Sequence, residues 1–496
     1  MRLTWAQPED LVAHELVQSA AEGRDVADVA ARWEAAGGDL VPAVSGASTT
    51  PATADLRALA RELLVELDGL ARPVDAAEPD EWDAIVALLP PEPALPRPAA
   101  DTGAPAARAE LEGRVRGAWT GRAAGCLLGK PVEKIPRAGI EEILRAAGRW
   151  PLDRYFTAVG LPDDVAARWP WNRRSAPTSL EENIDGMPED DDLNYPLLAL
   201  DLLERHGASF TSDDVAQLWI DALPAGRVFT AERAAYRNVL DARPVPQTAT
   251  YLNPFREWIG ALIRADVHGW VRPGDVRGAA RLAYTDARLS HTRNGVYGAM
   301  WAAALCSASL VCDDVDEVLD AAHAVVPPGS RLDVAIRLGR SAALQGDLTQ
   351  GLDLLHAELG HLHWVHVLNN AAVIAYALAR SGGDLGTGIT TAVTAGWDTD
   401  SAGATVGSVL GGLAGADGVP ARWADPIRGR IATTLPGGAQ RSIDDLVHRT
   451  LALQAALPAG SGARGASPGV RAGSGAATQD QAGADHAAAT RTGGGR

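Results

Sequence analysis

Two acidic segments carry the chemistry of this chain. Glu189-Asp190-Asp191-Asp192 and Asp398-Thr399-Asp400-Ser401 lie roughly two hundred residues apart, each just ahead of an apolar run that reads as a helix. Carboxylates this dense repel one another unless protons or a cation sit among them. If the two segments meet in the fold, they make an oxygen-only site for hard divalent metal. Pro196 is tolerable only in a first helical turn, which predicts a helix starting near Asp192 or Leu193 with its acids at the N-terminus. Capping is the plainer reading of acids there, but three consecutive aspartates exceed what a cap needs. In the second segment, residues two apart on a helix face different directions, so Asp398 and Asp400 converge only if Asp398 lies in a turn. Gly396 supplies that turn. Gly403, Gly407 and Gly411 then form a ridge without side chains, where a ligand or another backbone can come close.

Composition narrows the field. The chain has 496 residues and a formal net charge of -18. Without a Lys/Arg cluster, such a chain is not expected to take a nucleic-acid backbone as its main partner. An anionic small ligand would need metal or backbone N–H groups to offset the field. Cys126, Cys306 and Cys312 have neither metal-type nor disulfide-framework spacing, read as small buried hydrophobes, and suit a reducing cytoplasm. Met1-Arg2-Leu3-Thr4-Trp5 does not open an apolar leader, and no segment reaches the roughly 20 apolar residues that span a bilayer. The expectation is a soluble cytoplasmic protein with no membrane partner.

The elements that must position the acids are helices. Leu56, Leu59, Leu63, Leu64 and Leu67 keep a helical stripe, as do Val315, Val318, Leu319, Ala322, Val325 and Val326. Alternating Val/Ile/Thr runs bounded by turn residues are nearly absent, so the fold is expected to be all-α. Short helices are predicted over 10–21, 26–36 and 55–70, giving an N-terminal helical module over 1–75. A Pro/Ala-rich linker follows over 76–108, a multi-helix domain over 109–456, and a tail over 457–496 too poor in large apolar residues to fold.

Four ordered motifs resemble those of the ADP-ribosylglycohydrolase family. Gly396-Trp397-Asp398-Thr399-Asp400-Ser401 with Gly403 is similar to its Gly-x-Asp-x-Asp-Ser/Thr-x-Gly motif. The stretch from Gly121 to Glu133, with Gly125 and Gly129, is similar to its Gly-rich opening segment. Asp190-Asp191-Asp192 stands where the family has Thr-Asp-Asp. Gly260-Ala261-Leu262-Ile263-Arg264 with Ser290-His291 resembles its central Gly-x-x-Met-Arg stretch and later Thr-His pair. The resemblance covers roughly residues 110 to 450 and implies a compact all-α domain with two Mg²⁺ or Mn²⁺ ions at the ribose of an ADP-ribosylated protein or small ADP-ribosyl substrate. It implies cleavage of the glycosidic bond at C1''. Asp190, Asp191, Asp192, Asp398, Asp400 and Ser401 would be metal ligands, with Asp400 bridging, and Glu133 would handle the proton. Gly129, Gly260, Arg264, His291, Gly396 and Gly403 would line the substrate, the glycine backbones donating N–H groups to the diphosphate. Cys126 replaces the family's usual Asp, and Asp190 its Thr. A non-catalytic ADP-ribose-binding relative and a metal phosphohydrolase acting on the diphosphate are the alternatives.

Other residues are weaker candidates. His356, His361, His363 and His366 cluster in sequence, yet one helix presents at most a pair such as His356 and His363, and no Cys joins them, which disfavours zinc. Ser290 and His291 do not make a catalytic triad by adjacency. Trp258 reads as core rather than as an adenine-stacking ring. Asn369 and Asn370 either cap a helix or line the site.

Overall fold

The glycine ridge finds a second ridge to pack on. In the computed structural model, which describes residues 2–42, 45–96 and 105–457, the helix Thr399–Ala414 lies antiparallel against the helix Pro105–Gly129. Gly403 faces Gly125, Gly407 faces Gly121, and Gly411 faces Gly117. A Cβ added to Gly121 would stand 2.1 Å from the Gly407 carbonyl oxygen, and one on Gly125 only 1.9 Å from that of Gly403. At Gly129 the same atom would meet the Thr399 carbonyl at 2.3 Å. These backbones touch directly, and only glycine permits it. The glycines at 129 and 403, expected to face substrate, therefore spend their open sides on each other's helices.

Around this pair the core is helical. Arg293–Ser309 is buried along its whole length, and Val367–Ser381 over nearly all of it, as expected for helices without a polar face. Trp119, on the far side of the Pro105–Gly129 helix, packs on Trp270 at 4.6 Å between ring centroids and donates its indole N–H to Thr450 Oγ1 at 3.1 Å. Among the described residues the strands are confined to one antiparallel ribbon, Arg430–Ala432 with Gln440–Ser442. Sequence patterning did not show it, because three-residue strands carry too little alternation to register. The all-α expectation otherwise holds.

The predicted N-terminal helices form over Pro8–Ala21, Ala27–Ala35 and Ala54–Gly69. They share one core with the rest of the described chain. Trp5 and His14 pack edge-on against Phe255 and Trp258. The buried Arg256 guanidinium donates to Glu22 at 2.7 Å and to Glu15 at 2.9 Å. Glu78, in the stretch read as linker, accepts from Arg331 at 2.8 Å, and a short helix runs over Trp82–Leu88. Most of the predicted tail, from 458 on, lies outside the described residues. No helix among those described is long and apolar enough to cross a membrane.

Gly125→Val should lower the unfolding free energy by about 3 kcal/mol or more, since the added carbons meet backbone rather than a movable side chain; a denaturant titration reads it. Burial holds His14 down at about 4, and burial with the nearby His14 holds His363 at about 3. Between those values and the usual 6.5 the unfolded chain binds protons that the folded one refuses. Stability should thus fall as pH drops from 7.5 to 5, by roughly 2 kcal/mol per histidine, and His14→Phe should remove part of that slope in urea titrations at the two pH values.

Candidate active site

The acidic helix starts at Asp191, one residue before the expected position, with Asp190 as its N-cap accepting the Asp192 N–H at 2.9 Å. Pro196 consequently lies beyond the first turn. Having no N–H, it leaves the carbonyl of Asp192, four residues back, without its helical partner. Arg122 fills the gap. Its Nε and Nη2 donate to that carbonyl at 2.9 and 2.7 Å, Nη1 donates to Asp266 Oδ2 at 2.7 Å, and Nη2 also reaches the Ile263 carbonyl. Arg122 is 0% exposed, so its hydrogen bonds fix the height and rotation of the acidic helix. The segment ahead is pinned from the other side: the Met187 N–H donates to the Arg430 carbonyl at 3.0 Å and the Ala432 N–H to the Met187 carbonyl at 2.8 Å.

The second acidic segment arrives through a turn, as its spacing required. Gly396 and Trp397 have φ of 76° and 63°, Asp398 is the N-cap of the Thr399–Ala414 helix, and Asp400 lies in its first turn. Asn370 Oδ1 accepts the Asp398 N–H at 3.3 Å, so Asn370 supports the site from behind. His356 stacks on Trp397 at 4.2 Å and pairs with the Ala395 carbonyl at 2.8 Å.

The two segments meet. Ser401 Oγ donates to Asp192 Oδ2 at 3.1 Å, and Thr399 Oγ1 to the Gly129 carbonyl at 2.9 Å. Gly129 thereby carries Glu133, four residues on, to the same cleft, where Asn172 Nδ2 donates to Glu133 Oε2 at 2.7 Å. The electrostatics record the crowding. Burial first, then the charges of Glu133 and Asp190, push Asp400 up to about 7. Burial and the Asp190 and Asp400 charges raise Asp191 and Asp192 well above the carboxylate range. Asp398 is raised likewise by burial, Asp400 and Glu133. Asp190 goes the other way: burial would raise it, but Lys130, the Asp192 N–H and the Cys126 thiol outweigh that and hold it low.

Lys130, to which the sequence reading gave no role, and Cys126, which replaces the family's usual Asp, complete the cleft. Lys130 Nζ contacts Asp190 Oδ2, and Cys126 Sγ lies with oxygens of Asp190 and Asp192 inside a 4.8 Å group. Among the described residues this is the one such metal-sized cluster, and the four clustered histidines form none. His363 instead stacks on Trp258 at 4.2 Å. A lysine in a Gly-rich segment carries no sequence signal for this position.

The central stretch goes elsewhere. All five Arg264 N–H groups are spent on Asp286, Glu232, the Gly260 and Asp286 carbonyls, and Ser290, and the side chain is 2% exposed. Gly260 packs on Glu232, and His291 pairs through Nδ1 with Ser290 Oγ at 2.8 Å. Arg264, Gly260 and His291 thus form a buried polar cluster, with none of the Arg264 donors left for a ligand.

The fold thus buries aspartates from two distant helix starts, with a glutamate beside them, in an all-α scaffold. The chain belongs to the ADP-ribosylglycohydrolase family, whose model matches residues 107–458. A solved chain of an ADP-ribosylglycohydrolase-related protein complex is similar at 21% identity, over 70% of this chain and 99% of that one, with a TM-score of 0.45. No curated protein matches. Family membership makes the protein a hydrolase of the ADP-ribosylglycohydrolase type.

Arg122→Met should cost about 3–5 kcal/mol in a denaturant titration, because it strands Asp266 and the Asp192 carbonyl in the interior.

Proposed function

We propose that this protein is a divalent-metal-dependent hydrolase that cleaves the glycosidic bond at C1'' of ADP-ribose attached to a protein side chain or a small acceptor. The observation that supports it most is the convergence of Asp191, Asp192, Asp398 and Asp400, four carboxyls that burial and mutual repulsion hold poised for protons or a cation. The donor set fits a hard ion such as Mg²⁺ or Mn²⁺: it is made of carboxylate oxygens with one hydroxyl, and no histidine joins it. Asp191, Asp398 and Asp400 would hold the metal, with Asp192 and Ser401 completing the set. A bound ion would supply Lewis-acid stabilisation of charge at the ribose and lower the pKa of water.

The chain's own groups do the rest. Glu133 is the carboxylate best placed to move a proton: it sits at the cleft edge, its side chain 19% exposed, oriented by Asn172 on one oxygen and by Lys134 at 3.4 Å on the other. Gly396 and Trp397 shape the turn that aims Asp398, and the surrounding helices bury Asp192, Asp398 and Asp400 while leaving Asp191 partly exposed. The acidic surface, net -18, is matched to a substrate recognised through metal rather than through a basic groove.

Asp400→Asn should reduce metal-dependent release of ADP-ribose from ADP-ribosylated arginine, serine and small acceptors by at least about 100-fold, while melting stays near that of the unmutated protein. Product analysis decides the chemistry. AMP and ribose phosphate would identify a phosphohydrolase, and tight ADP-ribose binding without release from any substrate would identify a non-catalytic relative.

A further inference from the structure

Lys130 is the feature that neither the family motifs nor the proposed chemistry uses. It follows Gly129, at the point where the two glycine helices fix the chain against Thr399 and Asp400. It is 5% exposed, and its ammonium contacts Asp190 Oδ2 and lies 3.3 Å from the Glu189 carbonyl. Both oxygens of Asp190 are engaged as a result. Its Oδ1 takes the Asp192 N–H, its Oδ2 takes the ammonium, and the Cys126 thiol also donates to it.

The clustered acids consequently divide into two sets. Asp190 and Asp192 have cations of the protein's own: Lys130 for the first, and for the second Arg122, whose Nη2 lies 3.4 Å from Asp192 Oδ1. Asp191, Asp398 and Asp400 have none in contact. A divalent ion entering beside Asp190 would have to displace an ammonium that the helix contact holds in place, next to a thiol that is a poor partner for a hard ion. An ion among Asp191, Asp398 and Asp400 would displace no cation of the protein, only the hydrogen bond between the Asp398 and Asp400 carboxyls, and the three side chains, which do not share one 4.8 Å group, would close on it.

We propose that Lys130 is a tethered cation standing in for one divalent ion, so that the cleft takes a single metal, on Asp191, Asp398 and Asp400, with Asp190 serving Lys130 instead of a metal. This proposal departs from the expectation of two ions and of Asp190 as a ligand, and it rests on the metal-dependent reading above.

The test is Mn²⁺ titration of the metal-stripped full-length protein, by calorimetry for stoichiometry and by electron paramagnetic resonance for coupling between ions. The expected result is one Mn²⁺ per chain with the spectrum of an isolated ion. Asp190→Asn should leave the stoichiometry at one and the Kd within about threefold. Lys130→Met, or Lys130→Gln should the first fold poorly, should raise the stoichiometry to two and introduce exchange coupling. Two coupled ions in the unmutated protein would overturn the proposal while sparing the metal reading, as would a folded Lys130 variant that still takes one. No binding to the unmutated protein would overturn the metal reading itself and this inference with it. The unmutated protein decides the matter alone if neither lysine variant folds.

Discussion

Direct contact between two helix backbones governs this molecule. The Pro105–Gly129 and Thr399–Ala414 helices approach so closely that a single methyl group on either ridge would collide with a carbonyl. That contact sets where Gly129 ends, and hence where Lys130 and Glu133 enter the cleft. It also sets where Asp398, Asp400 and Ser401 begin. A rigid, register-locked contact of this kind suits a site in which misplacement by an ångström is costly. The glycines act on the chemistry through position alone.

A second constraint is charge. Interiors tolerate ionised groups only when these are paired, and this interior gathers carboxylates from three segments. The chain answers in two ways. Arg122 and Lys130 are built-in cations for Asp192 and Asp190, while Asp191, Asp398 and Asp400 have no cation of the protein in contact and are pushed toward protonation by burial and by one another. Pro196 belongs to the same economy: by lacking an N–H it releases the Asp192 carbonyl, which then anchors Arg122 beneath the acidic helix. Ion pairs recur where the segments ahead of the family domain join it, with the buried Arg256 between Glu15 and Glu22 and the partly exposed Arg331 between Glu78 and Glu257. Such pairs favour one docking geometry, since a slipped interface would strand charges in the core.

The sequence by itself determined the helical class, the bounds of the three N-terminal helices to within two residues, and the turn at Gly396. These rest on local physics: helical periodicity and the φ that glycine allows. Local rules also misplaced Pro196, because Arg122, 74 positions earlier, satisfies the carbonyl that a second-turn proline leaves open. Only the tertiary structure decided that the glycine ridges face each other, that Arg264 and His291 belong to a separate buried cluster, and that Lys130 lies beside Asp190. In each case the deciding partner is far away in sequence, and a side chain's spacing along its own helix cannot say which distant group will share its interior.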